Sequence, residues 1–290
     1  MGYYEFKITV TSDAEEALIE KTAAMGSLGS VLDDGRLLVY FPDVLGIKEL
    51  VSELTSFRAV IERAGLPGGF SFDYVFISER DWNESWKKKF QPLDLGDRLT
   101  IIPPWETERE GRINLIIDPG MAFGTGHHET TTRCLALIEH FASGTPNTLN
   151  QGMSMRKDSF LDIGTGSGIL AIAASKLGFR KVLGVDIDPL AVDAAQRNVL
   201  QNGLDNVRIL EGSVTEAEGS HDFIAANLLS EILIALAPDI VARLNPGALL
   251  VASGMIEGQE GDVIGRMNAA GLDPCAQYRD GRWVTVVFRR

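Results

Sequence analysis

Phe160-Leu161-Asp162-Ile163-Gly164-Thr165-Gly166-Ser167-Gly168-Ile169-Leu170-Ala171-Ile172-Ala173-Ala174-Ser175 reads as a buried strand, a glycine-rich turn and a helix. Phe160, Leu161 and Ile163 form the short apolar run of a parallel strand covered on both faces. Gly164, Gly166 and Gly168 let the backbone turn sharply and approach a ligand with no Cβ in the way. The alanine-rich run from Ile169 to Leu177 continues as a helix that Gly178 stops. A strand, a glycine-rich turn and a helix N-terminus in this order make a nucleotide-type pocket.

G-x-G-x-G by itself also marks ordinary tight turns, so its context decides. Lys181 to Val185 reads as a second strand, ending in Asp186, 22 residues beyond Gly164. An acid there is placed to accept hydrogen bonds from a ribose diol. A dinucleotide fold calls for G-x-G-x-x-G, whereas here the glycines are closer and Asp162 precedes them. A carboxylate at Asp162 suits a cationic or amino-bearing group and sits badly beside a pyrophosphate. That points to S-adenosylmethionine, which carries a sulfonium and an α-amine and has no phosphate. The pattern resembles motif I of class I methyltransferases.

Working outward, Val207–Leu210 and Asp222–Asn227 read as the third and fourth strands, with Asn227 at a carboxyl end, where open α/β sheets place their ligands. Pro189 starts a helix to about Asn202; helices surround Pro238; Ala248–Ala252 is a fifth strand and Glu257–Ala270 a further helix. Asp273–Arg279 and Trp283–Phe288, joined at Asp280-Gly281, form a closing hairpin. Upstream, a glycine-rich turn in Asp118–Gly126 leads to a helix whose first turn carries Thr130, Thr131 and Thr132, hydroxyls suited to capping or to a ligand. His127 and His128 are adjacent and point apart, a poor metal pair; base and capping roles both stay open for them. Thr145–Lys157 reads as a polar linker.

The N-terminal region has a different grammar. Tyr3–Thr11, Ser30–Leu32, Leu37–Phe41 and Phe70–Ile77 alternate as half-buried strands, the middle two joined around Asp33-Asp34-Gly35. Ser12 and Glu15 form a capping box for a first helix, and a second runs from about Gly46 to Ala64. Strand, helix, strand, strand, helix, strand is a ferredoxin-like α+β domain. Asp81–Phe90 reads as a connector helix with Trp82, Trp86 and Phe90 on one face. The expected organisation is residues 1–78 as a ferredoxin-like recognition domain, 79–97 as linker helix and connector, and 98–290 as an α/β, Rossmann-like methyltransferase domain.

Composition narrows the classes. Of 290 residues, 45% are hydrophobic and 23% charged, with a net charge of −13. The acidity is shared: residues 1–92 hold 10 basic and 15 acidic residues, leaving 17 and 25 for the rest. Such a chain is a poor nucleic-acid binder and suits a basic protein partner. The N-terminus lacks a signal-peptide core and no apolar run is long enough to span a membrane, so a cytoplasmic protein is expected. Cys134 and Cys275 lie far apart and outside any metal or redox spacing.

Taken together, Asp81–Phe90, Asp118–Thr131 with its Pro-Gly-Met-Ala-Phe-Gly-Thr-Gly run, Asp162–Gly168, Gly184–Pro189 and Ala226–Leu229 resemble the PrmA family, the methyltransferases of ribosomal protein L11. The resemblance spans nearly the whole chain. It implies a class I methyltransferase sheet with an N-terminal ferredoxin-like domain that recognises the ribosomal protein. It also implies methyl transfer to lysine and N-terminal amines, and cofactor contacts at Thr131, Gly164, Asp186 and Asn227. The residue reading adds Asp162 and Gly166 to the cofactor set, assigns Asn227 to orienting the amine and calls for no metal. This chain departs from the family in having His127-His128-Glu129 where a single His followed by Pro-Thr-Thr is usual. Glu211-Gly212-Ser213 follows the third strand, where many class I enzymes place an acid toward the adenine amine. Two other classes share parts of this signature. A small-molecule N-methyltransferase would not need the N-terminal domain, and a non-catalytic cofactor-binding module would not need Asn227.

Overall fold

The computed structural model describes residues 2–9, 18–19, 21–33, 36–63, 70–78, 91–118, 128–143 and 156–290. Outside them lie the Ser12/Glu15 capping box, the Asp34-Gly35 turn, the Trp82/Trp86/Phe90 helix, the block from Pro119 to His127 and residues 145–155 of the expected linker. The chain divides into two compact units, residues 1–89 and 90–290.

In the first unit, the alternation of apolar and polar residues produces β1 (Gly2–Thr9), with Phe6 and Ile8 fully buried. β1 pairs antiparallel with β3 (Arg36–Pro42) and with β4 (Ser71–Ser78), and β2 (Gly29–Asp33) pairs antiparallel with β3. The order β2-β3-β1-β4 is the ferredoxin-like arrangement expected from the sequence. Leu50, Leu54 and Ile61 of α1 (Ile47–Arg63), together with Leu18, pack on Phe6, Ile8, Val39 and Phe41.

The second unit is built on a seven-stranded sheet. Its strands are β8 (Ser159–Ile163), β9 (Lys181–Asp186), β10 (Val207–Glu211), β11 (His221–Asn227), β12 (Leu244–Ile256), β13 (Asp273–Asp280) and β14 (Trp283–Arg289). They lie in the order β10-β9-β8-β11-β12-β14-β13, parallel except for β14, which is antiparallel to both β12 and β13. The C-terminal hairpin thus supplies the reversed strand that the sequence suggests.

Because side chains alternate across a strand, the central strands feed two cores. Phe160, Phe223, Ala225 and Val251 meet Leu135 and Ile138 of α2 (Glu129–Ala142), Ile172 of α3 (Ile169–Lys176) and Val192 of α4 (Pro189–Gln201). Leu161, Ile163, Ile224, Ala226 and Leu250 meet Leu233 and Ile240 of α5 (Ser230–Ala242) and Val263 and Met267 of α6 (Glu260–Ala270). A small side sheet, β5 (Leu93–Leu95), β6 (Leu99–Ile102) and β7 (Ile113–Ile116), joins the first of these cores.

Where the sequence suggests helices on both sides of Pro238, the structure has one helix, α5, running through it. Proline cannot donate to the Ile234 carbonyl one turn earlier; Nε of Arg266 on α6 donates to it instead, at 3.4 Å. The fifth strand is longer than its apolar run, and α6 begins at Glu260, after a turn at Gly258 and Gln259 in which the Gln259 N–H donates to the Ile256 carbonyl.

The strand order reverses between β8 and β11, which opens a crevice at their carboxyl ends. Toward the amino ends of the same two strands, Phe223 stacks on Phe160, with centroids 5.4 Å apart and planes 10° from parallel, and contacts Phe179 and Phe141 at 5.9 and 6.1 Å. Phe223→Ala should destabilise the fold by about 3–5 kcal/mol, seen as a lower urea midpoint with unchanged m. A loss below about 1 kcal/mol would remove this aromatic quartet from the centre of the core.

Candidate active site

The glycine-rich turn follows β8 and takes its shape from β9. The Gly164 and Thr165 N–H groups both donate to the Val185 carbonyl, at 2.9 and 3.0 Å. Gly164, Gly166 and Gly168 have φ of +70°, +55° and +83°, a region closed to most side chains, so the turn needs glycine at each. The Gly166 N–H donates to Asp186 Oδ2 at 2.8 Å, and the Asp188 N–H to Asp186 Oδ1 at 3.1 Å. Both oxygens retain a second lone pair for a ligand. Asp188 then caps α4 by accepting the Leu190 N–H at 2.9 Å.

Asp162 lies under this turn, fully buried. Its Oδ2 accepts from Thr165 Oγ1 at 2.7 Å, while Oδ1 meets no hydrogen-bond donor among the described residues. Burial pushes its carboxyl up to about 7; the Thr165 hydroxyl and the Ala171 N–H oppose that rise and the Asp186 charge adds to it.

Asn227 ends β11, half-buried, and its Nδ2 donates to Thr131 Oγ1 at 3.4 Å. Thr131 is buried in the first turn of α2. The turn after Asn227 is fixed by the Leu228 N–H donating to the Ser253 carbonyl at 2.9 Å. It is fixed again by Gly254, where a Cβ would lie 2.4 Å from the Leu228 carbonyl oxygen. Ser253 and Thr285 hydroxyls bond at 2.7 Å beneath it. Arg133, one turn into α2, makes a two-point ion pair with Asp280 at 2.8 and 2.6 Å, tying that helix end to the C-terminal hairpin.

Gly164, Gly166, Asp186, Ser213 and Asn227 line one cavity of about 890 Å³, within the range of small-molecule sites. Asp162 and Thr131, both placed by the sequence in the cofactor site, are buried and do not line it: Asp162 bonds the buried Thr165, and Thr131 bonds the lining residue Asn227. His128 is the N-cap of α2: Nδ1 accepts the Thr130 N–H at 3.3 Å, and the ring meets Trp283 edge-on at 4.8 Å. The cap is therefore the histidine, rather than the threonine hydroxyls that follow it. The other histidine of the pair, His127, lies outside the described residues.

Sequence reasoning passes over Asp118, Ile187, Leu190, Arg197, Asn198 and Leu228, which also line the cavity. Ile187 and Leu190 are 76% and 66% exposed, an apolar rim at the mouth. Their signal is present: an apolar residue directly after the strand-end acid, and another in the first turn of the following helix. Asn198 could have been found as a polar residue on the apolar stripe of α4.

Asp162 gives the site a pH signature. Its folded-state carboxyl is raised above the unfolded value of about 3.9, so between the two values the folded chain holds a proton that the unfolded chain has lost. Stability is fully present below about pH 4 and falls as pH rises toward about 7. Asp162→Asn keeps the shape and cannot ionise, so its stability relative to wild type should improve across that window by up to about 4 kcal/mol. Thermal melts of both proteins at about pH 5 and about pH 8 check this; a constant difference would mean the carboxyl titrates normally.

A family model for ribosomal protein L11 methyltransferase (PrmA) matches residues 2–290. A ribosomal protein L11 methyltransferase of Pelotomaculum thermopropionicum is 41% identical over 241 residues, 81% of this chain and 74% of the relative. One from Geotalea uraniireducens is 38% identical over 251 residues, 84% and 80% of the two chains. The crystal structure of a ribosomal protein L11 methylase from Lactobacillus delbrueckii subsp. bulgaricus superposes with a TM-score of 0.60 at 30% identity, covering 69% of this chain and 99% of that one. With a family model matching residues 2–290 and relatives of about 40% identity, the chain belongs to the ribosomal protein L11 methyltransferase family of S-adenosylmethionine-dependent enzymes.

Proposed function

We propose that the protein transfers methyl groups to lysine and N-terminal amines of ribosomal protein L11; its relatives are named ribosomal protein L11 methyltransferases. The observation that carries this reading is the meeting of Asn227 with the glycine turn and Asp186 in one cavity. S-adenosylmethionine supplies an electrophilic methyl group on a sulfonium. Asp186 offers lone pairs to a ribose diol, and Gly164 and Gly166 a wall free of Cβ atoms. Transfer is an in-line displacement, so the remaining task is to hold the incoming amine on the right axis. Asn227 does this: its Nδ2 is committed to Thr131, which leaves Oδ1 to accept from the amine N–H and aim its lone pair. A lysine ammonium, with a pKa of about 10.4, gives up its proton before it can act as the nucleophile.

Recognition of the protein falls to the first unit, the ferredoxin-like domain expected over residues 1–78. Tyr74 and Phe76 continue the Phe6 and Tyr4 rows onto the edge strand β4 and stay about half exposed among the described residues, at 50% and 51%. Half-exposed aromatic side chains on an edge strand suit a docking surface, and the net charge of −13 steers a basic partner. The acidity also disfavours direct contact with nucleic acid. No helix among the described residues is long and apolar enough to cross a membrane. A ribosomal substrate places the enzyme in the cytoplasm.

Mass spectrometry of L11 after incubation with enzyme and S-adenosylmethionine should show added methyl masses on lysine and N-terminal peptides. Methylation of small amines with L11 untouched would overturn the substrate assignment. Asn227→Ala should slow single-turnover methylation at saturating cofactor on the order of 10²-fold while the melting temperature changes little. A fully active variant would reduce Asn227 to a strand-end cap.

A further inference from the structure

We propose that Asn198 is a positioning residue for the cofactor cavity, locking the glycine turn to the opposite wall at Asp118. The inference rests on the reading of that cavity as the S-adenosylmethionine site. Asn198, in the last turn of α4, and Asn202, its C-cap, stand one turn apart on the same side of the helix. Asn202 accepts the Ile116 N–H at 3.0 Å through Oδ1 and donates to the Ile116 carbonyl at 2.6 Å through Nδ2. Asn198 accepts the Asp118 N–H at 3.0 Å. Ile116 and Asp118 are two residues apart in extended chain, so their N–H groups point the same way. The two carboxamides therefore serve the free edge of β7 as a neighbouring strand would.

The two asparagines differ in what else they hold. Asn202 spends its remaining bond within its own helix, on the Asn198 carbonyl at 2.8 Å. Asn198 donates Nδ2 to the Ser167 carbonyl at 2.8 Å, inside the glycine turn. That carbonyl lies between Gly166, whose N–H is bonded to Asp186, and Gly168, which opens α3. Asn198 is only 1% exposed, and it lines the cavity with Asp118 and Gly166. One buried side chain thus bridges two walls that are otherwise separate pieces of backbone. If the bridge is lost, the turn keeps its bonds to β9, but its distance from Asp118 is no longer fixed. The cost then falls on ligand affinity in addition to the fold.

The test compares full-length Asn198→Ala, Asn198→Asp and Asn202→Ala, using calorimetric titration with S-adenosylhomocysteine and melting without ligand. Asn198→Asp keeps the acceptor for Asp118 and loses the donor to Ser167, with little change in shape. Both Asn198 variants should bind S-adenosylhomocysteine about tenfold more weakly, the scale of one lost buried hydrogen bond. They should raise KM for S-adenosylmethionine more than they lower kcat. Asn202→Ala should lower the melting temperature at least as much, with affinity within about twofold of wild type. Unchanged affinity in Asn198→Asp overturns the proposal. So does equal weakening by Asn202→Ala, which would make both residues strand-edge caps. Failure of the wild type itself to bind S-adenosylhomocysteine would instead sink the reading of the cavity.

Discussion

The site depends on one junction, where the end of β9 holds the turn that follows β8. The Val185 carbonyl takes two consecutive N–H groups of the turn, and the next residue, Asp186, takes a third through its side chain. A turn with three positive-φ glycines has little intrinsic preference for one shape, because glycine loses more conformational freedom on ordering than any other residue. The three bonds from β9 select that shape. The same acid that faces the cavity is therefore also the clamp on the loop that forms its floor. Substituting Asp186 would therefore disturb the loop itself, besides changing the group that faces the cavity.

Much of this was legible in the sequence, for physical reasons. Phe160, Leu161 and Ile163, and Phe223 to Ala226, are apolar on both faces because helices cover both, so hydrophobicity broken only by Asp162 marked them as inner parallel strands. The two spacings that matter, from strand to glycines and from glycines to Asp186, are local in sequence and set by one βαβ unit. Asn227 was visible because a polar residue ending an apolar run is conspicuous. The ferredoxin-like order followed from alternation and a hairpin signal, which are also local.

What escaped was whatever depends on distant segments. Helix α5 runs through Pro238, and Arg266, on another helix, donates to the carbonyl that proline leaves free. His128 becomes a cap against Trp283, which is 155 residues away in the chain and whose proximity no local pattern signals. Asn198 sits on the buried stripe of an amphipathic helix, where a polar residue reads as a flaw until its two backbone partners are known. Buried polar side chains of this kind are tolerated when they are fully bonded, and the bonding pattern is a tertiary fact.

The electrostatics of the pocket follow from the same packing. Asp162 is buried behind a turn whose other side is held by Asp186, so two carboxylates approach one another across a layer of glycine backbone. An ionised carboxylate out of water is costly, which is why Asp162 resists losing its proton. The Thr165 hydroxyl and the Ala171 N–H favour the charged form, but burial outweighs them and the Asp186 charge adds to it. The protonation of Asp162 is thus set by the packing that holds the turn, because the fold has removed the water that would otherwise solvate its carboxylate.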